Sequence, residues 1–279
     1  MFGSRLTGWR HIANAMWGPP DDPQIYGALE VEAAPVLAFI EAARARGEHV
    51  TATHLVGRAV AHALEEVPDL NVRIRGTRSF PRASIDVFFI TAVSGGHDLS
   101  GVKVEAVDRR SVYEVARELA ARARRMKTGD DREFSRSKQV MDRLPRVLLR
   151  AALRATAFVT STLQLEVRPL ALHPSPFGSA MVTSVGMFGL PQGFAPLAWM
   201  YDVPLLVLVG EITERPVVVA HRVEARPVLP ITATIDHRYV DGWHVSRLMR
   251  AFRAYLAEPE RFEPAGNGAQ RTTSTEQRA

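Results

Sequence analysis

The stretch Ile231-Thr232-Ala233-Thr234-Ile235-Asp236-His237-Arg238-Tyr239-Val240-Asp241-Gly242 decides how the chain reads. Its first five residues are β-branched or small and predict a buried strand. A polar turn follows, then a helix predicted from Val240 to Leu256. A strand end fixes the backbone of His237, and the turn can hold its ring in one tautomer.

His237, Asp241 and His244 admit three readings. On a helix, positions i, i+4 and i+7 share a face, and His/Asp/His is a ligand set for zinc or iron. His237, however, sits on the strand side of the turn, where helical phase does not carry. The second reading is structural, with Asp241 capping the last helix and His237 a polar turn residue. The third makes His237 a general base, ordered by Asp241. An imidazole with a pKa of about 6.5 can take a proton from a thiol or hydroxyl at neutral pH, for roughly 10²–10⁴-fold in rate. Attack on an acyl thioester also passes through an oxyanion, so this reading needs a Ser or Thr elsewhere to donate to it.

The chain has 279 residues, 46% hydrophobic and 23% charged, which fits one large domain with an ample core. It has no cysteine, which excludes disulfides, thiolate metal sites and cysteine nucleophiles and suits a reducing cytoplasm. No signal peptide is legible at Met1–Leu6, and no apolar run reaches the ~18 residues of a membrane span. Net charge is +5. From Arg117 to Arg154 twelve Lys/Arg face five Asp/Glu, so this segment alone exceeds the surplus of the whole chain. Such a segment can meet phosphates, anionic lipid or nucleic acid, or be only a solvated helical face.

In order, a helix is predicted over residues 5–17, a half-buried strand from Ile25 to Val31, and a helix from Ala34 to Arg46 ended by Gly47. Thr51 caps a second helix to about Glu66. Val72 to Phe80 reads as a hairpin, Ser84 to Val93 as a central strand, Gly95-Gly96 as a turn, and Val102 to Val107 as a shorter strand. Ser111 and Glu114 form a capping box for a helix to about Met126. Residues 128–177 differ in texture. Leu144 to Val167 is apolar but carries Arg146, Arg150 and Arg154 on one stripe, a basic amphipathic helix or helical hairpin ended by Pro169, Pro174 and Pro176. Strands follow at Ala180 to Val185, Leu205 to Ile212, Pro216 to Val223 and Val228 to Ile235. Residues 264–279 are polar and predicted to be disordered.

The run Asp236-His237-Arg238-Tyr239-Val240-Asp241-Gly242 resembles the active-site motif of the acyltransferase components of 2-oxoacid dehydrogenase complexes, whose His-x-x-x-Asp-Gly core is shared with chloramphenicol acetyltransferase. Val182 to Leu190 is similar to that family's segment around its oxyanion-stabilising serine, and Pro204 to Gly210 to the strand after it. Thr51 to Leu70 resembles its paired helix and turn, and Ala83 to Ser111 its central strand and following helix start. The resemblance covers roughly residues 5–127 and 178–262 and implies an α/β fold. That fold is an α+β two-layer sandwich with a mixed β-sheet and helices on one face, chloramphenicol acetyltransferase-like, here carrying a helical insertion at about 128–177 in one catalytic domain spanning 1–263. It also implies a homotrimer, with each site in a channel between chains and coenzyme A and the acyl acceptor entering from opposite ends. By match of motif His237 is the base, Asp241 orders the site, Thr183 aligns with the serine, Ser184 is the alternative, and Arg10 is a candidate partner for Asp241.

The departures shape the functional expectation. Thr183-Ser184 stands where the family has Ser-Asn. No lipoyl domain or Ala/Pro-rich linker precedes the fold, so no lipoyl group is expected on this chain, and a lipoyl-domain protein would act in trans. The polar tail replaces the family's apolar one, which predicts an isolated trimer. The expectation is a stand-alone cytoplasmic acyltransferase using acyl-CoA as substrate and a small-molecule or carrier-bound acyl acceptor, with no metal and no nucleic acid. The alternative is a non-catalytic scaffold meeting a partner or a membrane surface through the basic insertion.

Overall fold

In the computed structural model, which describes residues 22–75, 77–93, 98–127, 146–167 and 172–264, the 231–235 run lies near the end of a 15-residue strand, Arg222–Asp236. The elements before it are β1 (Gln24–Glu32), α1 (Ala34–Ala45), α2 (Ala52–Glu66), β2 (Val72–Arg75), β3 (Arg78–Pro81), β4 (Val87–Val93) and β5 (Asp98–Val104). Then come α3 (Val112–Lys127), α4 (Arg146–Ala157), β6 (Ala180–Ser184), β7 (Leu205–Val209) and β8 (Thr213–Val219). The long strand is β9, followed by α5 (Gly242–Ala257) and a short α6 (Pro259–Phe262). The predicted helix at 5–17, the Gly95-Gly96 turn and the tail from residue 265 lie outside the described residues.

Among the described residues the main sheet has seven strands in the order β1-β9-β7-β6-β4-β5, with β8 also paired to β9. Only β4–β6 and β6–β7 are parallel, so the sheet is mixed. Period-2 alternation divides it cleanly. Val182, Leu205, Val207, Ile231 and Ile235 join one core with Val36 and Phe39 of α1, Leu55, Val56 and Leu64 of α2, and Leu248 and Phe252 of α5. Met181 and Leu206 instead face a smaller cluster with Leu197 and Val203, against which Phe88, Ile90 and Phe177 pack. Helices thus cover one face, and the 191–204 loop with Phe177 covers part of the other.

Several predicted boundaries move, each for a local reason. Pro216 to Val223, read as one strand, is a hairpin: Ala220 and His221 adopt positive φ of 46° and 67° and turn β8 into β9. β7 stops at Val209 because the chain must pass close by at Gly210, where a Cβ would lie 1.9 Å from the Pro191 carbonyl oxygen. The Val102–Val107 strand runs instead from Asp98 to Val104 and gives way to a 3₁₀ turn at Val107–Arg109. The helix read from Leu144 onward ends well before its prolines. After α4 a π turn, Phe158–Thr162, closes it. Gln164, at φ 54°, folds back so that its Nε2 donates to the Thr160 and Ser161 carbonyls at 3.1 and 2.6 Å, satisfying the helix end.

Two polar devices hold the helical layer. Thr51 accepts from the His54 N–H at 3.4 Å, while the Thr51 N–H donates to His54 Nδ1 at 3.2 Å, closing a capping box at the start of α2. Deeper, Arg58 (0% exposed) donates from Nε to Glu263 (2% exposed) at 2.9 Å. The same carboxylate accepts from the Tyr255 hydroxyl at 2.7 Å and the Val112 N–H at 2.8 Å. One buried anion therefore ties the chain after α6 to α2, α5 and the N-terminus of α3, where the helix dipole also favours it.

Removing one member of a buried pair strands the other charge. Glu263→Ala is expected to lower stability by about 3–5 kcal/mol in urea unfolding, and the double variant Arg58→Met/Glu263→Leu by distinctly less. Burial pushes the His54 imidazole down to about 4, so the folded chain keeps it neutral while the unfolded chain protonates near 6.5. Its contribution is complete above pH 6.5 and lost as pH falls toward 4. His54→Gln keeps a capping-box acceptor without titrating. Wild type should lose up to ~3 kcal/mol more than this variant between those pH values, read from urea midpoints.

Candidate active site

His237 is the first residue beyond β9, at the head of the turn 237–239. Backbone and side-chain hydrogen bonds fix the turn. The His237 N–H donates to the Pro23 carbonyl at 2.8 Å, and the Asp236 N–H to the Pro204 carbonyl at 2.9 Å. The buried Asp236 carboxylate then accepts from the Arg238 N–H at 3.0 Å and from its guanidinium at 2.9 Å (Nε to Oδ1) and 2.5 Å (Nη2 to Oδ2). This fork holds Arg238 still more firmly in its charged form. Flanked by two locked neighbours, the His237 side chain is left exposed, and among the described residues no side chain hydrogen-bonds its ring.

Asp241 is the N-cap of α5. Its Oδ1 accepts from the Trp243 N–H at 2.9 Å and the His244 N–H at 3.3 Å, and lies 2.8 Å from His244 Nδ1. The His244 contact, before the backbone bonds, holds the Asp241 carboxyl below the usual carboxylate range. The metal reading loses its geometry here, because Oδ1 is spent on the cap and His244 turns toward Asp241 and Asp69, 3.9 Å away. Among the described residues no three His, Cys, Asp or Glu side chains gather as a ligand set. Asp241 Oδ2 is left facing solvent. Arg10, its candidate partner, lies outside the described residues.

Thr183 and Ser184 end β6. Thr183 shares a face with Met181, away from the helices, whereas Ser184 shares the helix-covered face of Val182. The register then measures their distance from His237. Thr183 pairs with Leu208, Leu208 pairs with Thr232, and His237 follows Thr232 by five residues. At ~3.3 Å per residue and two strand spacings of ~4.8 Å, Thr183 and His237 of one chain are roughly 20 Å apart. Asp236 and Arg238 thus flank His237, and neither hydroxyl lies near it. The loop after Thr183 exposes Met187 (69%), Phe188, Leu190 and Phe194.

Sequence reasoning missed the Asp236–Arg238 fork and the carbonyls of Pro23 and Pro204. The Asp-x-Arg spacing at a strand end could have suggested the fork. The carbonyls belong to segments far away in the chain and left no trace in the motif.

The sequence matches the family model of the 2-oxoacid dehydrogenases acyltransferase (catalytic domain) over residues 6–134 and 161–263. The dihydrolipoyllysine-residue acetyltransferase component of the acetoin cleaving system of Bacillus subtilis is 23% identical over 213 residues, covering 76% of this chain and 43% of that protein. A probable dihydrolipoyllysine-residue succinyltransferase component of Schizosaccharomyces pombe is 29% identical over 109 residues, covering 38% of this chain and 23% of that protein. The chain therefore spans less than half the length of these curated relatives. Among solved structures, a probable dihydrolipoamide acetyltransferase from Listeria monocytogenes superposes with a TM-score of 0.63 at 20% identity, over 92% of this chain and 95% of that one. The dihydrolipoamide acetyltransferase of Azotobacter vinelandii, solved together with a study of a serine, a histidine and an asparagine in its catalysis, gives 0.62 at 19%, over 86% and 84%. At such identities these structures share the fold.

Proposed function

This chain belongs to the family of 2-oxoacid dehydrogenase acyltransferase catalytic domains, and we propose that it transfers an acyl group between coenzyme A and a thiol, hydroxyl or amine acceptor, with His237 as the general base. The observation that carries this reading is the locked turn: Asp236 and Arg238 are tied to each other while the ring between them is exposed and unengaged among the described residues. In the proposed step the acceptor's proton passes to the imidazole as its sulfur, oxygen or nitrogen bonds to the acyl carbon. The resulting oxyanion collapses by expelling the thiolate of coenzyme A, which takes a proton back. Dihydrolipoamide is the acceptor that the relatives' names suggest.

The oxyanion donor must come from a second copy, because roughly 20 Å separates Thr183 from His237 within one chain. Thr183 is favoured over Ser184 because it faces away from the helical layer, beside an exposed apolar loop on which another copy can pack. A homotrimer with three interfacial sites fits this requirement. Asp241, whose Oδ2 has no partner among the described residues, orders the site in this reading, with Arg10 as its candidate partner.

His237→Ala is expected to cut turnover of acetyl-CoA with dihydrolipoamide by at least about 10²-fold while sedimentation still reports a trimer. Unchanged turnover, or a monomeric active wild type, would sink the reading. The inserted arm motivates a second one. Leu148, Leu153, Phe158, Leu163 and Leu165 are all exposed, on a segment whose helix also carries Arg146, Arg150 and Arg154. Apolar side chains beside arginines suit an anionic membrane surface. Flotation with anionic vesicles should weaken in Leu148→Glu/Phe158→Glu, and equal flotation would remove this reading. Among the described residues no helix is long and apolar enough to cross a membrane.

A further inference from the structure

Asp202 sits where three separate parts of the chain meet. It is a non-glycine residue in the left-handed region, at φ 57°, which aspartate visits more readily than most residues and which neighbouring contacts secure here. Those contacts come from the β2–β3 hairpin and the residue after it. Arg75 Nη2 donates to the Asp202 carboxylate, and Arg82 Nη2 donates to the Asp202 backbone carbonyl at 2.6 Å. Two residues further on, the Pro204 carbonyl receives the Asp236 N–H, next to His237.

The same arginines grip the arm formed by α4 and the residues that follow it. Arg75 Nη2 also donates to the Ser161 carbonyl, Arg73 to Gln164 Oε1, and Arg82 Nη1 to Ser175 Oγ at 3.3 Å. Ser175 Oγ donates in turn to Gln164 Oε1 at 3.1 Å. Where the arm returns to the sheet, the Phe177 ring stands edge-on to both Phe88 and Tyr201, with centroids 4.8 Å apart in each case. The arm, the hairpin and the 199–204 segment are therefore one hydrogen-bonded block. Tyr239, inside the His237 turn, bonds the Ile74 backbone of this block and feels the charges of Asp202 and Arg82.

We infer that Asp202 is a positioning residue for His237: Arg75 and Arg82 clamp its left-handed turn so that the Pro204 carbonyl anchors Asp236, and the arm after α4 sets the tightness of that clamp through the same arginines. Asp202 touches no reacting atom; it acts through Pro204 and Asp236. The inference rests on the acyltransferase reading, because its effect is read as turnover.

Asp202→Asn tests it with little change of shape, since asparagine tolerates the left-handed region. The expected result is a kcat for acetyl-CoA with dihydrolipoamide reduced roughly tenfold, with KM for acetyl-CoA within about twofold of wild type. Hydrogen exchange at the Asp236 amide should accelerate, a change that an effect confined to the arm would not produce. Arg75→Met should reproduce the loss, and the double variant should be no worse than either single one, as expected for residues acting as a unit. If Asp202→Asn does not fold, Gln164→Ala loosens the arm alone and should lower kcat in the same direction. A kcat within twofold of wild type in the folded variants, beside an inactive His237→Ala, overturns the inference and leaves the acyltransferase reading intact. Full activity in His237→Ala as well overturns both.

Discussion

The pairing of β9 is the constraint from which the rest follows. One edge of this strand is laddered to β1 from Val228 to Asp236, and the other to β8 and then β7. Because side chains alternate, Ile231 and Ile235 enter the helical core while Thr232, Thr234 and Asp236 face the opposite side. A one-residue slip would drive Asp236 into that core and expose the isoleucines, so the register is strongly specified. The ladder therefore decides both where the His237 turn emerges and how far it lies from Thr183. An active site that needs both groups is incomplete in one copy of the chain, and the reason is strand geometry alone.

At its end the strand changes from apolar to ionic fastening. Asp236 is buried, and a buried carboxylate is tolerable only when it is paired and hydrogen-bonded. Arg238 supplies the pair from two residues away, so the turn closes on itself and leaves His237 outside. Glu263 solves the same problem in the opposite layer by collecting Arg58, Tyr255 and the Val112 N–H around one anion. In both places the charge costs desolvation and contributes geometry: a defined turn at the site, and a defined seat for the chain after α6 beneath the helices. The arm adds a third polar junction, built from Arg73, Arg75 and Arg82, where the irregular chain after α4 joins the regular fold.

Much of this was legible before any coordinates. Alternation in Ile25–Val31 and helical spacing from Leu55 to Leu64 marked the elements, and Thr51 and Ser111 marked helix starts. These signals are local, and local backbone preferences carry them. The Pro216–Val223 run misled because a tight turn at Ala220-His221 has no glycine or asparagine to announce its positive φ angles. The end of α4 misled because Gln164, not proline, satisfies its last carbonyls. In the site itself, Asp241 was legible as a cap from its place before a helical pattern.

The sequence by itself determined the family, the order of elements, and the delivery of His237 by a strand end, because period-2 and period-3.6 patterns and one short motif are written in consecutive residues. Only the tertiary structure decided that Thr183 rather than Ser184 faces away from the helices, that roughly 20 Å of sheet separates Thr183 from His237, and that the carbonyls of Pro23 and Pro204 hold its turn. Those facts depend on strand register and on contacts between segments up to about two hundred residues apart, and no window of sequence contains them.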